Sequence, residues 1–358
     1  PFIMEPWEAG QPIKLLANRR YWRTGPNDEP LPYLDELVLR EVGDEQERIE
    51  LVQRQEADFA QSRSTLAISR ARDLELTVVS RNEDNVGVVL FNAVQSPVDD
   101  VRVRRALQLS TNQEALIKAS LGAGAGEPAT QWFARGSRWW SGLAAETWPD
   151  PDVAAAEELF AAYINDEDRS DRRAPGSKIS VDLQCTDDIH LSSMIRELSR
   201  QWEATGFVEV ETETVTRSGL IQRVLGSITD RPGFSGDFVA TCWRVGGESD
   251  PAMMFGPIFG PIRTSPLNVS NLHNESLTAF VELLHSSSIE TVRQAAVEQI
   301  MLALTEQMPM IYLSHAQSAV VGHPDTEGLG YWQLPNGEDV YGQVAGVGRW
   351  SDVWISDE

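Results

Sequence analysis

The residue types that most often carry catalysis are present, but they are not arranged for it. No pair of histidines has the helical spacing of a metal-binding motif. No Gly-x-Ser-x-Gly turn occurs, because Gly233 and Gly236, which flank Ser235, are one position too close together for that motif. The sequence also has no Gly-Lys-Ser/Thr phosphate-binding loop. The histidines are His190, His273, His285, His315 and His323. We therefore expect no catalytic site and no bound metal, and a hydrolase with an unrecognised site is the weaker alternative.

The charge of the chain excludes several classes of partner. The formal net charge is -24, which disfavours binding to nucleic acids and to anionic membrane surfaces. The glycine-rich run from Gly122 to Gly126 follows a predicted helix and lacks the third, spaced glycine of a dinucleotide site. We expect no cofactor.

Two cysteines, Cys185 and Cys242, lie in or beside predicted apolar strands. Their number and spacing fit neither a disulfide scaffold nor a metal site. They are either two buried free thiols or, if the protein is secreted, a single disulfide. The sequence leaves both alternatives open.

The length of 358 residues and a hydrophobic content of 41% predict two or three domains. No apolar run is long enough for a transmembrane helix. After residue 178, strands alternate with helices, which predicts a mostly parallel sheet. Three strands should share that sheet: residues 178–184, 208–215 and 238–243. Tryptophans concentrate in a loop at residues 130–149.

Five stretches, in order along the chain, resemble one protein family. The most specific runs from Phe91-Asn92 through Pro97 to Asp99-Asp100-Val101-Arg102-Val103-Arg104-Arg105-Ala106-Leu107. The others are residues 1–22, 32–60, 237–251 and 268–284. Together they resemble the bacterial extracellular solute-binding proteins of family 5, the oligopeptide-, dipeptide- and nickel-binding proteins of ABC transporters.

The resemblance implies an α/β, two-lobed periplasmic-binding-protein fold of the Venus-flytrap, cluster C type, with the amino-terminal part of lobe one absent. Residues 1–90 would form part of lobe one, residues 91–312 lobe two, and residues 313–358 a return to lobe one. On this interpretation the sequence is a fragment or processed form. We therefore expect an unpaired strand edge or exposed apolar surface in lobe one.

The implied function is that of the substrate-binding component of an ABC importer, which captures a peptide-like or other small organic solute in an interlobe cleft. The implied partners are the ligand and the ABC permease subunits, and the protein would act as a monomer. The implied location is extracellular or periplasmic, with a lipid anchor as an option outside this sequence. A ligand-sensing relative that acts in signalling is the alternative within the same family.

The resemblance also suggests ligand-binding residues. Trp243 matches a tryptophan at the cleft end of a lobe-two strand, although a core role is the alternative. Many relatives hold a peptide amino terminus with an aspartate after that tryptophan, where this chain has Gly246 or, in a second alignment, Gly247. Glu248 would substitute after a one-residue shift. Ala240 stands where oligopeptide binders have an arginine.

The remaining candidates are less specific. Trp132 belongs to the aromatic loop, which either packs on the core or forms a platform for an apolar ligand. Arg223 is a candidate cationic group or a surface arginine, and Thr216 replaces a common aromatic residue. Asn92 and Asp250 complete the set as polar contacts. Without the aspartate, we expect no carboxylate to hold a free amino terminus, so the protein should prefer solutes other than ordinary short peptides.

Overall fold

The computed structural model describes most of the chain. The described residues are 1–121, 126–187, 189–226, 236–246, 250–260, 265, 267–333, 339–341, 343–344 and 347–356. Among them, no helix is long and apolar enough to cross a membrane.

The strands and helices follow one another in a mixed α/β order. The strands are β1 (Phe2–Met4), β2 (Ile13–Ala17), β3 (Glu36–Leu39), β4 (Phe59–Ser62), β5 (Thr77–Phe91), β6 (Ile179–Thr186), β7 (Val208–Val215), β8 (Ala240–Val245), β9 (Met310–Gly322), β10 (Thr326–Glu327), β11 (Tyr331–Gln333), β12 (Asp339–Tyr341), β13 (Gln343–Val344), β14 (Val347–Gly348) and β15 (Trp354–Ile355). The helices are α1 (Glu45–Gln53), α2 (Thr65–Asp73), α3 (Val101–Leu109), α4 (Gln113–Leu121), α5 (Gly142–Thr147), α6 (Val153–Ile164), α7 (Ile189–Ala204), α8 (Arg217–Leu225), α9 (Pro251–Phe259), α10 (Glu275–Ser286) and α11 (Glu290–Gln307).

The chain divides into two compact units. Unit 1 comprises Pro1–Glu83 and Gln317–Glu358, and unit 2 comprises Asp84–Ala316. The chain therefore passes between the units twice, once within β5 and once within β9. The sequence-based division placed these passages at residues 90/91 and 312/313. The assignment of the units to the two lobes of the family stays a prediction.

Unit 1 contains several small antiparallel arrangements, including the pairs β10–β15, β11–β12 and β13–β14. Strands β1, β2 and β3 form one sheet in that order, and β4 pairs with the last four residues of β9. Helices α1 and α2 begin at side-chain caps, Asp44 and Ser64. Their apolar faces pack Ile49 and Ile68 against Val321 of β9.

Several strands of unit 1 have an edge without a partner strand among the described residues, and two of them border one groove. Strand β3 ends its sheet, and β4 has only β9 as a neighbour. Residues of both strands line a groove of about 680 Å³, together with Trp350 and Val353. In β1, the side chains of Ile3 and Met4 are exposed. Unit 1 thus has open strand edges and exposed apolar side chains, and that strands outside this sequence cover them stays a prediction.

Unit 2 contains the main sheet, with the strand order β9–β5–β8–β6–β7. Strands β6 and β7 are parallel over their full length, and β6 is parallel to β8. Strand β5 runs antiparallel to β8, with Val86 opposite Val245 and Phe91 opposite Ala240. The prediction that three strands share one sheet is confirmed. The prediction of a mostly parallel sheet is wrong: the sheet is mixed, because β5 enters from the other unit and runs against its neighbour.

The core of unit 2 is one continuous cluster between the sheet and its helices. Helix α3 begins at Asp100, whose carboxylate accepts from the amide of Arg102. Its inner face buries Val103, Ala106 and Leu107. Large fully buried side chains, Trp202 among them, fill the spaces between the layers.

Candidate functional site

The carboxyl ends of three neighbouring strands of unit 2 meet at one edge of the sheet. Strands β6, β7 and β8 run in the same direction, so their last residues lie at the same edge. These residues are Thr186, Val215 and Val245. Thr216 and Gly246 follow directly. We call this set of strand ends, from Thr186 to Gly246, the carboxyl edge. In open α/β sheets this is the edge at which ligands bind.

Trp243 lies on β8 close to the carboxyl edge. It pairs across the ladder with Val88 of β5. Its side chain is half-buried and packs against the core with one part while leaving another part accessible. The core contact of Trp243 is therefore observed, and contact with a ligand through its accessible part stays a prediction.

The tryptophan-rich loop is fastened to the same edge. The carboxylate of Asp84 accepts hydrogen bonds from the amide of Ala134 at 2.8 Å and the hydroxyl of Ser137 at 2.9 Å. The indole N–H of Trp132 donates to the carbonyl of Gly246 at 3.2 Å. Two predicted site residues, Trp132 and Gly246, are thus in direct contact.

Trp132 is fully buried. Its ring meets Phe255 and Phe259 of α9 edge-on, at centroid distances of 5.3 and 5.9 Å. These contacts hold the aromatic loop to the core. The neighbouring Trp140 is half-buried and carries the guanidinium of Arg135 at 5.0 Å from its ring centroid.

Thr216 and Arg223 lie at the β7–α8 side of the edge. Thr216 caps α8, and its hydroxyl accepts from the amide of Gly219. The guanidinium of Arg223 donates to both carboxylate oxygens of Glu213, one of them at 2.8 Å. The hydrogen bond from Arg223 lowers the pKa of Glu213, so the pair stays ionised. The positive charge of Arg223 is already balanced.

Asp250 is likewise engaged within unit 2. It caps α9 by accepting from the amide of Ala252, and it pairs with the guanidinium of Arg293. Burial raises the pKa of Asp250. The hydrogen bonds from the amide of Ala252 and the guanidinium of Arg293 lower it by more, so the pKa lies below its ordinary value. Arg293 in turn lies over Trp139, at 5.6 Å from its centroid. The carboxylate is therefore ionised and paired.

Asn92 lies at the opposite end of the sheet. Its amide donates to the carbonyl of Val239, at the beginning of β8. Seven positions of strand separate it from the level of Gly246, a distance of about 23 Å. Its buried side chain donates to the carbonyl of Phe238 and accepts from Asn271.

The structure thus brings four predicted residues to the carboxyl edge, namely Trp132, Thr216, Trp243 and Gly246. Arg223 lies further along α8, where its carbonyl accepts from the amide of Asp237, ahead of β8. Asp250 and its partner Arg293 lie beside the aromatic loop through Trp139. Glu248 and the alternative position Gly247 lie outside the described residues.

Sequence reasoning missed one feature of the carboxyl edge and left another open. Asp84 is one acidic residue among many in this chain, and no local signal distinguishes it. The two cysteines form the Cys185–Cys242 disulfide, with Cα atoms 5.1 Å apart, which resolves the choice that the sequence left open. Among the described residues no cluster of three or more histidine, cysteine or acidic side chains could hold a metal ion.

The arrangement is suited to binding. The candidate residues offer a half-buried indole, a hydroxyl, backbone carbonyls and two charges that are already paired. Sites with these features hold small organic molecules through apolar walls and a few placed polar groups.

Comparisons with known proteins agree on one family. Residues 1–262 match the family model described as "Bacterial extracellular solute-binding proteins, family 5 Middle". The chain is 22% identical to Heme-binding protein A of Haemophilus influenzae over 357 residues, which cover 98% of this chain and 59% of that protein. It is 31% identical to the glutathione-binding protein GsiB of Salmonella typhimurium over 133 residues, which cover 36% of this chain and 24% of that protein.

A solved structure shows the same fold. HbpA2 from Haemophilus parasuis superposes with a TM-score of 0.77 at 17% identity, covering 99% of this chain and 64% of that one. The chain thus spans about three fifths of the length of the relatives that it matches from end to end.

Proposed function

Because the chain belongs to family 5 of the bacterial extracellular solute-binding proteins, we propose that it is the substrate-binding component of an ABC importer. It captures a small organic solute and delivers it to the permease. The match of residues 1–262 to the family model is the observation that carries this proposal. The family consists of binding proteins. Two features of this chain are consistent with a role in binding: the histidines are far apart along the sequence, and the charged candidate residues are already paired.

We further propose that the carboxyl edge of unit 2 contributes the ligand-binding surface. Trp243 supplies a partly accessible apolar face for the solute. Thr216 and the carbonyl of Gly246 supply polar groups beside it. Hydrogen bonds of Asp84 and Trp132 hold the aromatic loop at this edge. Cleft closure over the ligand, as the family resemblance predicts, completes the mechanism.

The proposed solute presents a neutral or apolar group to this edge. The two charged candidates described at or beside it, Arg223 and Asp250, already have opposite charges as partners in Glu213 and Arg293. Recruiting either one for a charged ligand would break an existing ion pair. A ligand ammonium would also meet no carboxylate at Gly246 or Gly247, and burying an unpaired charge is costly.

Calorimetry on the full-length protein tests this proposal. The probes are haemin and glutathione, suggested by the relatives' names, and a tetrapeptide in free and amino-terminally acetylated forms. We expect any peptide that binds to bind equally well in both forms. Trp243→Ala should weaken the binding of each probe that binds. Micromolar peptide binding that disappears on acetylation and in Glu248→Gln would overturn the ligand proposal.

The proposed location is extracellular or periplasmic, and the disulfide supports it because such bonds persist in oxidising compartments. Action as a monomer and attachment through a lipid anchor follow from the family resemblance alone. Fractionation of the native cells, with light scattering of the purified full-length protein, tests both.

A further inference from the structure

The candidate site is divided between two parts of the unit 2 sheet. Strands β6 and β7 pair over eight positions, from Ile179 opposite Val208 to Thr186 opposite Val215. This half carries Thr216 and Arg223. Strands β5 and β8 pair over six positions and carry Trp243. Each half is held together by a long ladder.

The seam between the two halves is short. In the part of the chain that the structure describes, β6 and β8 pair at two positions, Leu183 opposite Ala240 and Gln184 opposite Thr241. One position further along both strands stand Cys185 and Cys242, joined by the disulfide. The disulfide thus joins the two strands at the position where the next backbone pair would lie. This position is at the end of the β6–β8 ladder, directly before the carboxyl edge.

Among the described residues, the disulfide also joins β6 and β8 at the position directly before the candidate residues. Cys242 directly precedes Trp243, and Cys185 directly precedes Thr186 at the end of β6. Both cysteines are buried in the core cluster. Without the disulfide, two paired positions would join β6 and β8. The ends of these strands could then separate at the carboxyl edge.

We infer that the Cys185–Cys242 disulfide is a positioning element for solute capture, which fixes the spacing between the β7–α8 side of the site and Trp243. This inference rests on the proposed function of the carboxyl edge. Preorganisation of this kind raises affinity because the site does not have to order its parts when the ligand binds. The bond therefore acts on affinity, in addition to its effect on stability.

The test compares the full-length wild type with Cys185→Ser/Cys242→Ser. A second variant, Trp202→Phe, serves as the control for a general loss of stability. Trp202 is fully buried near the end of α7, and its indole N–H donates to the carbonyl of Leu107. It lies beside the amino end of β7, away from the carboxyl edge, so its replacement perturbs the core and leaves the seam intact.

Two readouts are measured at a temperature at which all three proteins are folded. The first is haemin affinity, followed by absorption titration. We expect the cysteine double variant to bind about tenfold more weakly or worse, and the Trp202→Phe control to bind as the wild type does. Unchanged affinity in the double variant, together with a lowered melting temperature, would reduce the disulfide to a stabilising element and overturn the inference.

The second readout needs no ligand. Proteins labelled with 5-fluorotryptophan are compared by fluorine NMR, with the Trp243 line assigned through Trp243→Phe. We expect a single Trp243 line in the wild type and the control, and a shifted, broadened or split line in the double variant. A Trp243 line with unchanged position and width would overturn the inference. If haemin fails to bind the wild type, this readout alone decides, so failure of the ligand proposal is separated from failure of the positioning role.

Discussion

Arg104 provides the sharpest test of how unit 2 is held together. Its side chain is buried, and its guanidinium donates five hydrogen bonds, all to backbone carbonyls. The acceptors are Gln307 and Met308 at the end of α11, and Val98 and Asp99 before α3, at 2.7–3.1 Å. Burial lowers the pKa of Arg104 to about 10, so the group remains charged at pH 7.

Replacement of Arg104 by Met removes every one of these donors while roughly keeping the volume. Four carbonyls lose a charged partner, and each buried acceptor left unsatisfied costs about 1–3 kcal/mol. Local relaxation and entering water reduce the sum, so we expect a loss of about 3–5 kcal/mol in the free energy of unfolding, at the upper end of single substitutions.

Urea denaturation of the purified protein measures this loss. Arg105→Met is the matched control, because Arg105 is the next residue of the same helix and is exposed. We expect the control to change the unfolding free energy by at most about 0.5 kcal/mol. A loss below about 1 kcal/mol for Arg104→Met, or equal losses in both variants, would refute the reasoning that these hydrogen bonds join α3 to the end of α11.

Three further outcomes are expected. The hydrogen bond from Arg200 lowers the pKa of Glu197 to about 2, so the carboxylate stabilises the fold above its ordinary pKa and loses that effect as pH falls towards 2. Thermal melts of wild type and Glu197→Gln should therefore differ at pH 7 and converge on acidification; a constant difference would contradict this. Cys185→Ser/Cys242→Ser should lose about 3–4 kcal/mol in urea titrations, given the 57-residue separation, and an unchanged midpoint would contradict it. Asp84→Ala should speed hydrogen exchange in residues 131–141, because the loop loses two hydrogen bonds; unchanged exchange would show that the loop is held otherwise.

Local sequence signals predicted most of the elements of unit 2. The sequence predicts a strand at residues 208–215 and helices at residues 189–205 and 291–307. These ranges nearly coincide with β7, α7 and α11, because the apolar periodicity is long and the boundaries are clear. Helix α9 was missed, since Gly256 and Pro257 lie inside it and argue against a helix. It forms because Asp250 caps it and Phe255 and Phe259 pack into the core.

The two long strands show a different limit. The sequence predicted two short strands at residues 76–80 and 86–92, separated by polar residues, where the structure has the single strand β5. The sequence likewise predicts two strands, at residues 310–313 and 319–321, where the structure has the single strand β9. Strand β9 is a neighbour of β5 in the sheet, and no local propensity records that neighbour.

The candidate site was only partly predictable. The family resemblance identified Trp243 and Gly246, and the structure places both near the carboxyl edge. The pairing of Arg223 with Glu213, ten positions away, depends on how α8 folds back on β7. The burial of Asn92 depends on Asn271 and Phe238, which are distant in sequence. Such contacts carry no local signal, so charge balance at the edge could not be predicted.

Native mass spectrometry of the full-length protein, purified from its own host, tests the central claim most directly. If the protein binds a solute without converting it, we expect a one-to-one complex whose ligand is released chemically unchanged when the protein is denatured. The complex should be weakened in Trp243→Ala. A bound molecule that is chemically converted on incubation with the protein, or a complex that persists unchanged in Trp243→Ala, would contradict a solute-binding role for the carboxyl edge.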